Sequence, residues 1–233
     1  MKAEITLNLI DQCASGGLLL FAGGLDPLVA GPGALLTGLI DVMTKAVPVG
    51  NGKAVKMSHS AICMPSRGRA PYIYESTKGG GIPSGPQRSD LAALLAEYAK
   101  GHGHAWLFPF MPQFEPDWAA VEAAALHMIA LREAGLMPYN VQRLFNDAEQ
   151  RSLIFDLLAM PAAGIIAYEG ARSKGVVCSE EAALLIEAGG VVAKLAAAGI
   201  AWMPNVAPPG QPIGNGPVDL GLTPMFLPAV QLL

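Results

Sequence analysis

Four apolar segments of the chain have the length and spacing of buried β-strands. The clearest is GLLLFA at 17–22, which ends at two consecutive glycines, as many short strands do. Further strands are predicted at 55–64, 72–76 and 105–110. Only the loop PSRGRAP separates the second from the third, so we expect these two to pair as an antiparallel hairpin.

Apolar residues at helical spacing predict helices in much of the remaining chain. Ser89 is the predicted N-cap of the second helix and Gly189 closes the fifth. A glycine-rich loop is predicted at 78–85, and an irregular, proline-rich tail begins at 204. The predicted helices are 34–47, 89–100, 117–133, 139–160 and 179–188, with 191–198 continuing the last one after a kink.

The composition is that of one well-packed globular domain. Hydrophobic residues make up 52% of the 233 positions and charged residues 15%, with no break that would divide the chain. We therefore predict a single α+β domain over residues 1–233, with helical insertions between the strand pair and Cys178. A net charge of −4 without any Lys/Arg cluster argues against nucleic acid as a partner.

The cysteines favour neither a disulfide framework nor a metal centre. Cys13, Cys63 and Cys178 are few and widely scattered, and no Cys/His spacing suits zinc. We therefore expect no cofactor and no metal.

No segment predicts a membrane span or an export signal. The apolar region 17–40 is interrupted by charged, glycine and proline residues, whereas a membrane helix needs about 20 continuous apolar positions. Glu4 and Asp11 interrupt the region where a signal peptide would be apolar. The default expectation is a cytoplasmic protein, and delivery within a virion or to the cell envelope is the alternative.

Cys178 stands at the edge of its apolar run, directly before Ser179, Glu180 and Glu181. Acidic residues are typical of a first helical turn, so the cysteine belongs at the N-terminus of the predicted helix. The partial positive charge there favours the thiolate, which is the nucleophilic form. The alternative is a small hydrophobic residue that packs where strand meets helix.

His59 is the best candidate for a base beside that thiolate, because a strand end holds an imidazole rigidly. In a hairpin centred near Arg67, facing residues have numbers that sum to about 134, which places Glu75 opposite His59 on the same face. Glu75 would then orient one ring nitrogen while the other faces Cys178. A register error of one residue would separate them, and Glu75 would be a solvated carboxylate.

In order and spacing, four motifs resemble the permuted papain-like cysteine hydrolases of the NlpC superfamily, especially the YiiX-like branch. The chain departs from the family pattern by lacking an aspartate after Gly17 and by having Asn140 after Tyr139. The matching motifs are Gly17-Leu18-Leu19-Leu20-Phe21, Ser58-His59-Ser60-Ala61-Ile62, Tyr74-Glu75-Ser76 and Cys178-Ser179-Glu180.

The resemblance implies a permuted papain-like fold, with a small antiparallel sheet packed against helices. It implies Cys178 as the nucleophile, His59 as the base and Glu75 as the orienting residue. It also implies that the helix start supplies a backbone N–H for the oxyanion. The expected activity is that of a thiol hydrolase that cleaves an amide or ester bond through a thioester. The family suggests peptides of the bacterial cell wall, or other amides, as substrates.

Two other functions fit the same scaffold. Relatives of lecithin–retinol acyltransferase would pass the acyl group from the cysteine to another acceptor instead of water. A non-enzymatic structural or assembly protein would use the fold without its chemistry. Nothing in the sequence indicates an oligomeric state.

Overall fold

A six-stranded antiparallel sheet forms the centre of the protein in a computed structural model, with strand order β6-β5-β4-β1-β7-β8. The structure describes residues 8–23, 46–49, 53–77, 85–137, 178–200, 202 and 217–233. A separate two-stranded hairpin pairs β2 with β3. The strands are β1 Gly17–Ala22, β2 Ala46–Pro48, β3 Ala54–Lys56, β4 His59–Cys63, β5 Tyr72–Thr77, β6 Gly85–Asp90, β7 His104–Phe108 and β8 Val230–Gln231.

Helices cover both faces of the sheet. Leu18 and Leu20 of β1 point to one side, where they share a core with α2, α3 and α4, while Leu19 and Phe21 point to the other, against α1 and a helical segment at 8–12. Burial on both faces explains why β1 reads as an unbroken apolar run instead of an alternating one. The helices are α1 Leu91–Lys100, α2 Trp118–Glu133, α3 Cys178–Ala188, α4 Val191–Ala197 and α5 Pro217–Leu222, with a short 3-10 turn at Pro112–Phe114.

The structure confirms the α+β class and several predicted elements. Strand β1 has the predicted bounds, and α2 begins after its N-cap Asp117, whose carboxylate accepts hydrogen bonds from the first turn. Helix α3 begins one residue earlier than predicted, so Cys178 is its first residue. After α3, Gly190 adopts a left-handed conformation with φ of 75°, and α4 follows as a distinct helix.

Three predictions of strand and helix boundaries are wrong. The predicted strand at 55–64 is two strands, because β3 pairs with β2 while β4 joins the main sheet. The predicted helix at 34–47 is wrong at its C-terminal end, because residues 46 and 47 belong to β2. Residues 34–45 lie outside the described part of the chain, as do the predicted loop residues 78–84 and the predicted helix 139–160. The tail is not wholly irregular, because α5 and the edge strand β8 form within it.

Ser89 is not the N-cap of a helix. It lies in β6, a strand that the sequence analysis missed, and Asp90 caps α1 by accepting a hydrogen bond from the Ala93 backbone N–H at 2.8 Å. Both residues are good N-caps, so the sequence could not choose between them. The difference matters because β6 lies beside β5 and directs the side chain of Ser89 toward Glu75.

Candidate active site

Cys178 is placed at the N-terminus of a buried helix that packs against β4 and β5. Glu180 and Glu181 occupy the first turn, where acidic residues complement the positive end of the helix dipole. The cysteine is 3% exposed. This position sets its sulfur between the helix end and the start of β4.

His59 is the first residue of β4, and its Nε2 lies 2.6 Å from Oε2 of Glu75 on β5. The predicted register of this hairpin is wrong by two residues, because Ile62 pairs with Tyr74 and not with Tyr72. Side chains alternate along a strand with a period of two, so this shift keeps His59 and Glu75 on the same face. The two therefore meet diagonally instead of directly opposite each other.

Glu75 is held by a set of polar side chains on the neighbouring strand β6. Its Oε1 accepts hydrogen bonds from Oγ of Ser89 at 2.5 Å and from Nε2 of Gln87 at 3.2 Å. Burial opposes ionisation of this carboxyl, but His59, Ser89 and Gln87 together lower its pKa below the ordinary value. Glu75 is thus a fixed, ionised partner for the imidazole.

The His59 ring lies close enough to the Cys178 sulfur for each group to shift the other's pKa. Burial disfavours the charged ring, yet Cys178 and Glu75 raise the pKa of His59 to about 10. Burial also disfavours the thiolate, yet His59 and the backbone and side chain of Ser60 lower the pKa of Cys178. Both shifts favour a thiolate beside an imidazolium.

Four residues of this site were missed by the sequence analysis. Gln87 and Ser89 lie on the missed strand β6, and Ser60 was noted only as part of a motif. Glu181 was assigned to capping, but it is fully buried and close enough to Glu75, His59 and Cys178 to interact with their charges. No sequence signal placed Glu181 in the core, because acidic residues in a first helical turn are accounted for by the helix dipole.

The other two cysteines form a separate pair. Cys13 and Cys63 are 0% exposed and lie close together within the core on the α1 side of the sheet. This mutual contact and burial raise the pKa of Cys63 well above its ordinary value. They serve as internal controls for measurements on Cys178.

Comparison with protein-family models, with curated proteins and with solved structures finds no match to this chain. In the ranges that the structure describes, no helix is long and apolar enough to cross a membrane. Within the same ranges, no group of three His, Cys, Asp or Glu side chains is arranged to hold a metal.

The thiolate–imidazolium pair predicts how stability depends on pH. The pKa of His59 is raised from 6.5 to about 10, so its contribution is complete below 6.5 and is lost as pH rises through about 10. The pKa of Cys178 is lowered from 9.0, so its contribution is complete above 9.0 and is lost as pH falls through the lowered value. From 6.5 or the lowered pKa of Cys178, whichever is higher, up to 9.0, the two slopes cancel, because the folded and unfolded pair bind the same number of protons.

We therefore compare the wild type with the double variant His59→Gln, Cys178→Ala by urea denaturation across pH. The difference in free energy of unfolding should be constant within that window and should shrink on both its acidic and its alkaline side. A difference that stays constant on both sides would mean that the two pKa values are not shifted by folding.

Proposed function

We propose that the protein is a cysteine hydrolase that cleaves an amide or ester bond through a thioester on Cys178. The observation that carries the proposal is the convergence of Cys178, His59 and Glu75 from a helix N-terminus and two strands. His59 is hydrogen-bonded to Glu75 and lies close enough to Cys178 for each to shift the other's pKa. A nucleophile, a base and a group that orients the base are the parts that acyl transfer needs.

In the proposed reaction, the Cys178 thiolate attacks the carbonyl carbon and the carbonyl π electrons move to the oxygen. The tetrahedral intermediate collapses to a thioester when His59 donates its proton to the leaving amine or alcohol. Neutral His59 then removes a proton from water, which attacks the thioester and releases the acid and the thiolate. Glu75 fixes the ring through Nε2, which leaves Nδ1 for these transfers.

The resemblance to the NlpC superfamily supports a permuted papain-like fold and suggests peptides of the cell wall as substrates. His59 preceding Cys178 along the chain agrees with the permuted order, and catalytic roles follow geometry and not chain order.

An acyltransferase would share the thioester and differ only in the acceptor. Mass spectrometry of the protein after exposure to a lipid ester distinguishes the two, since a lasting acyl adduct favours transfer over hydrolysis.

The proposal predicts that Cys178 reacts with methyl methanethiosulfonate at nearly the same rate at pH 7 and at pH 9. A cysteine with an ordinary pKa would react about 25-fold faster at the higher pH, because only a few per cent of it is ionised at pH 7. Peptide mapping identifies the labelled residue, and this ratio of rates does not depend on how exposed the sulfur is.

Cys178→Ala should abolish the labelling, and Cys63→Ala is the matched control that should leave it unchanged. In the same preparation, p-nitrophenyl acetate should place an acetyl group on Cys178. An ordinary pH dependence at Cys178, or the absence of any p-nitrophenol release that depends on Cys178, would contradict the proposed hydrolase.

A further inference from the structure

Glu181 is a buried carboxyl group without a hydrogen bond. Its exposed fraction is 0%, and neither Oε1 nor Oε2 has a partner among the residues that the structure describes. Most buried side-chain polar atoms are hydrogen-bonded, because an unpaired polar atom in the interior costs about 1–3 kcal/mol. A group kept at that cost next to a candidate catalytic cysteine calls for a functional explanation.

The position of Glu181 relative to Cys178 follows from helix geometry. The two residues are three apart in α3, so their side chains lie on neighbouring positions of one helix surface. Helical side chains lean toward the N-terminus, which brings the carboxyl group of Glu181 toward the sulfur. Its charge interactions with Cys178, His59 and Glu75 agree with that placement.

Arg132 of α2 presents a second set of unmet hydrogen-bonding atoms from the facing helix. It ends the buried stripe of α2, is 8% exposed, and its Nε and Nη1 have no partner in the described part of the chain. Its one ion pair, from Nη2 to Glu133 at 3.3 Å, is with an exposed carboxylate. Helices α2 and α3 pack together, and the Arg132 charge acts on Glu181.

The surroundings favour the protonated form of Glu181. Burial and the neighbouring Glu75 and Cys178 charges raise its pKa well above the ordinary value, against the opposing effect of His59 and Arg132. A neutral carboxylic acid carries one O–H donor, which an ionised carboxylate lacks. The site therefore contains a strong hydrogen-bond donor that has no acceptor among the described residues.

On the basis of the proposed function, we propose that Glu181 is a catalytic residue whose carboxyl O–H donates a hydrogen bond to the carbonyl oxygen of the bond under attack. When the Cys178 thiolate adds to the carbonyl carbon, the electron pair moves onto that oxygen, and the Glu181 O–H stabilises the negative charge. The leaving group departs as the pair returns, and Glu181 keeps its proton throughout. The substrate is thus a carbonyl compound whose oxygen enters the space beside the first turn of α3.

Two reagents separate this role from a structural one. Acetylation by p-nitrophenyl acetate passes through an oxyanion, whereas methyl methanethiosulfonate reacts with the same thiolate and has no carbonyl group. We expect Glu181→Leu to slow acetylation by about 100-fold, the effect of removing one oxyanion donor, and to change thiolation by less than about twofold. Glu181→Gln, which keeps an N–H donor of similar reach, should acetylate within about fivefold of the wild type.

Any other result contradicts the proposed role of Glu181 as a hydrogen-bond donor to the carbonyl oxygen. If Glu181→Leu acetylates as fast as the wild type, the donor has no catalytic role; if it slows both reactions equally, the role is structural. If Glu181→Gln is as slow as Glu181→Leu, the acid acts through charge or proton loss and not as a neutral donor. If Cys178 of the wild type is not acetylated at all, the proposed hydrolase fails and this role fails with it, whereas the first three outcomes leave the hydrolase standing.

Discussion

Replacing His59 with glutamine should slow the reaction of Cys178 with methyl methanethiosulfonate at neutral pH by about 100-fold or more. Burial alone raises the pKa of Cys178, and the His59 charge and hydrogen bond are the main effects that bring it below its ordinary value. Without them the thiolate fraction at pH 7 falls below about one per cent. Cleavage of an amide should fall further, because the variant also lacks the group that protonates the leaving amine.

The variant should also change the shape of the pH profile. In the wild type the rate of reaction with methyl methanethiosulfonate should be constant across neutral pH. In His59→Gln this rate should rise about tenfold per pH unit until the pH reaches the pKa of the Cys178 thiol. His127→Gln is the matched control, because it makes the same change on the exposed surface of α2. A His59 variant with a flat profile and a rate near that of the wild type would mean that the imidazole does not activate Cys178.

The candidate site could be anticipated from sequence because two of its three residues occupy the ends of regular elements. Cys178 begins a helix and His59 begins a strand, and such positions are indicated by caps and turns as well as by apolar patterns. The predicted contact between Glu75 and His59 is present although the predicted register was wrong by two residues, because only an odd shift moves a side chain to the other face of the sheet.

Strand β6 shows why other parts could not be predicted. Its sequence GPQRSD contains no hydrophobic residue, because it lies at the edge of the sheet and its Gln87 and Ser89 side chains bind Glu75 instead of entering the core. Its ladder with β5 is specified by the partner strand and by polar contacts. Pattern analysis assigns such a segment to a loop or a helix cap, and this is how Ser89 was misplaced.

The hidden role of Glu181 has a similar cause. Acidic residues in a first helical turn are normally accounted for by the helix dipole, so the pattern gives no reason to place one in the core. Only the packing of α3 against the sheet and α2 reveals that this turn is buried on nearly every side. Burial set by tertiary contacts is therefore what separates Glu181 from an ordinary capping residue.

Replacing Gly17 with alanine should destabilise the protein by about 3 kcal/mol or more. A Cβ atom at this position would lie 2.5 Å from the backbone oxygen of Phe108 and 3.0 Å from Cδ1 of Leu107. The oxygen belongs to β7, which pairs with β1 from Leu18 onward, so it cannot move without opening the central ladder of the sheet. A flexible side chain could give way, whereas a paired backbone cannot.

Gly68→Ala is the control for this measurement. Gly68 has a φ of 77°, but no atom lies within 4 Å of a Cβ built there, so the substitution should cost only backbone strain of about 1 kcal/mol. Urea denaturation of both variants gives the comparison, and equal losses in free energy of unfolding would contradict a steric requirement at Gly17.

Strand β1 also pairs Phe21 with His59, whose rings lie 5.6 Å apart, so loss of the β1–β7 ladder should weaken Cys178 activation as well. The glycine that opens the first motif thus supports the site through the sheet, although it contributes no atom to the chemistry.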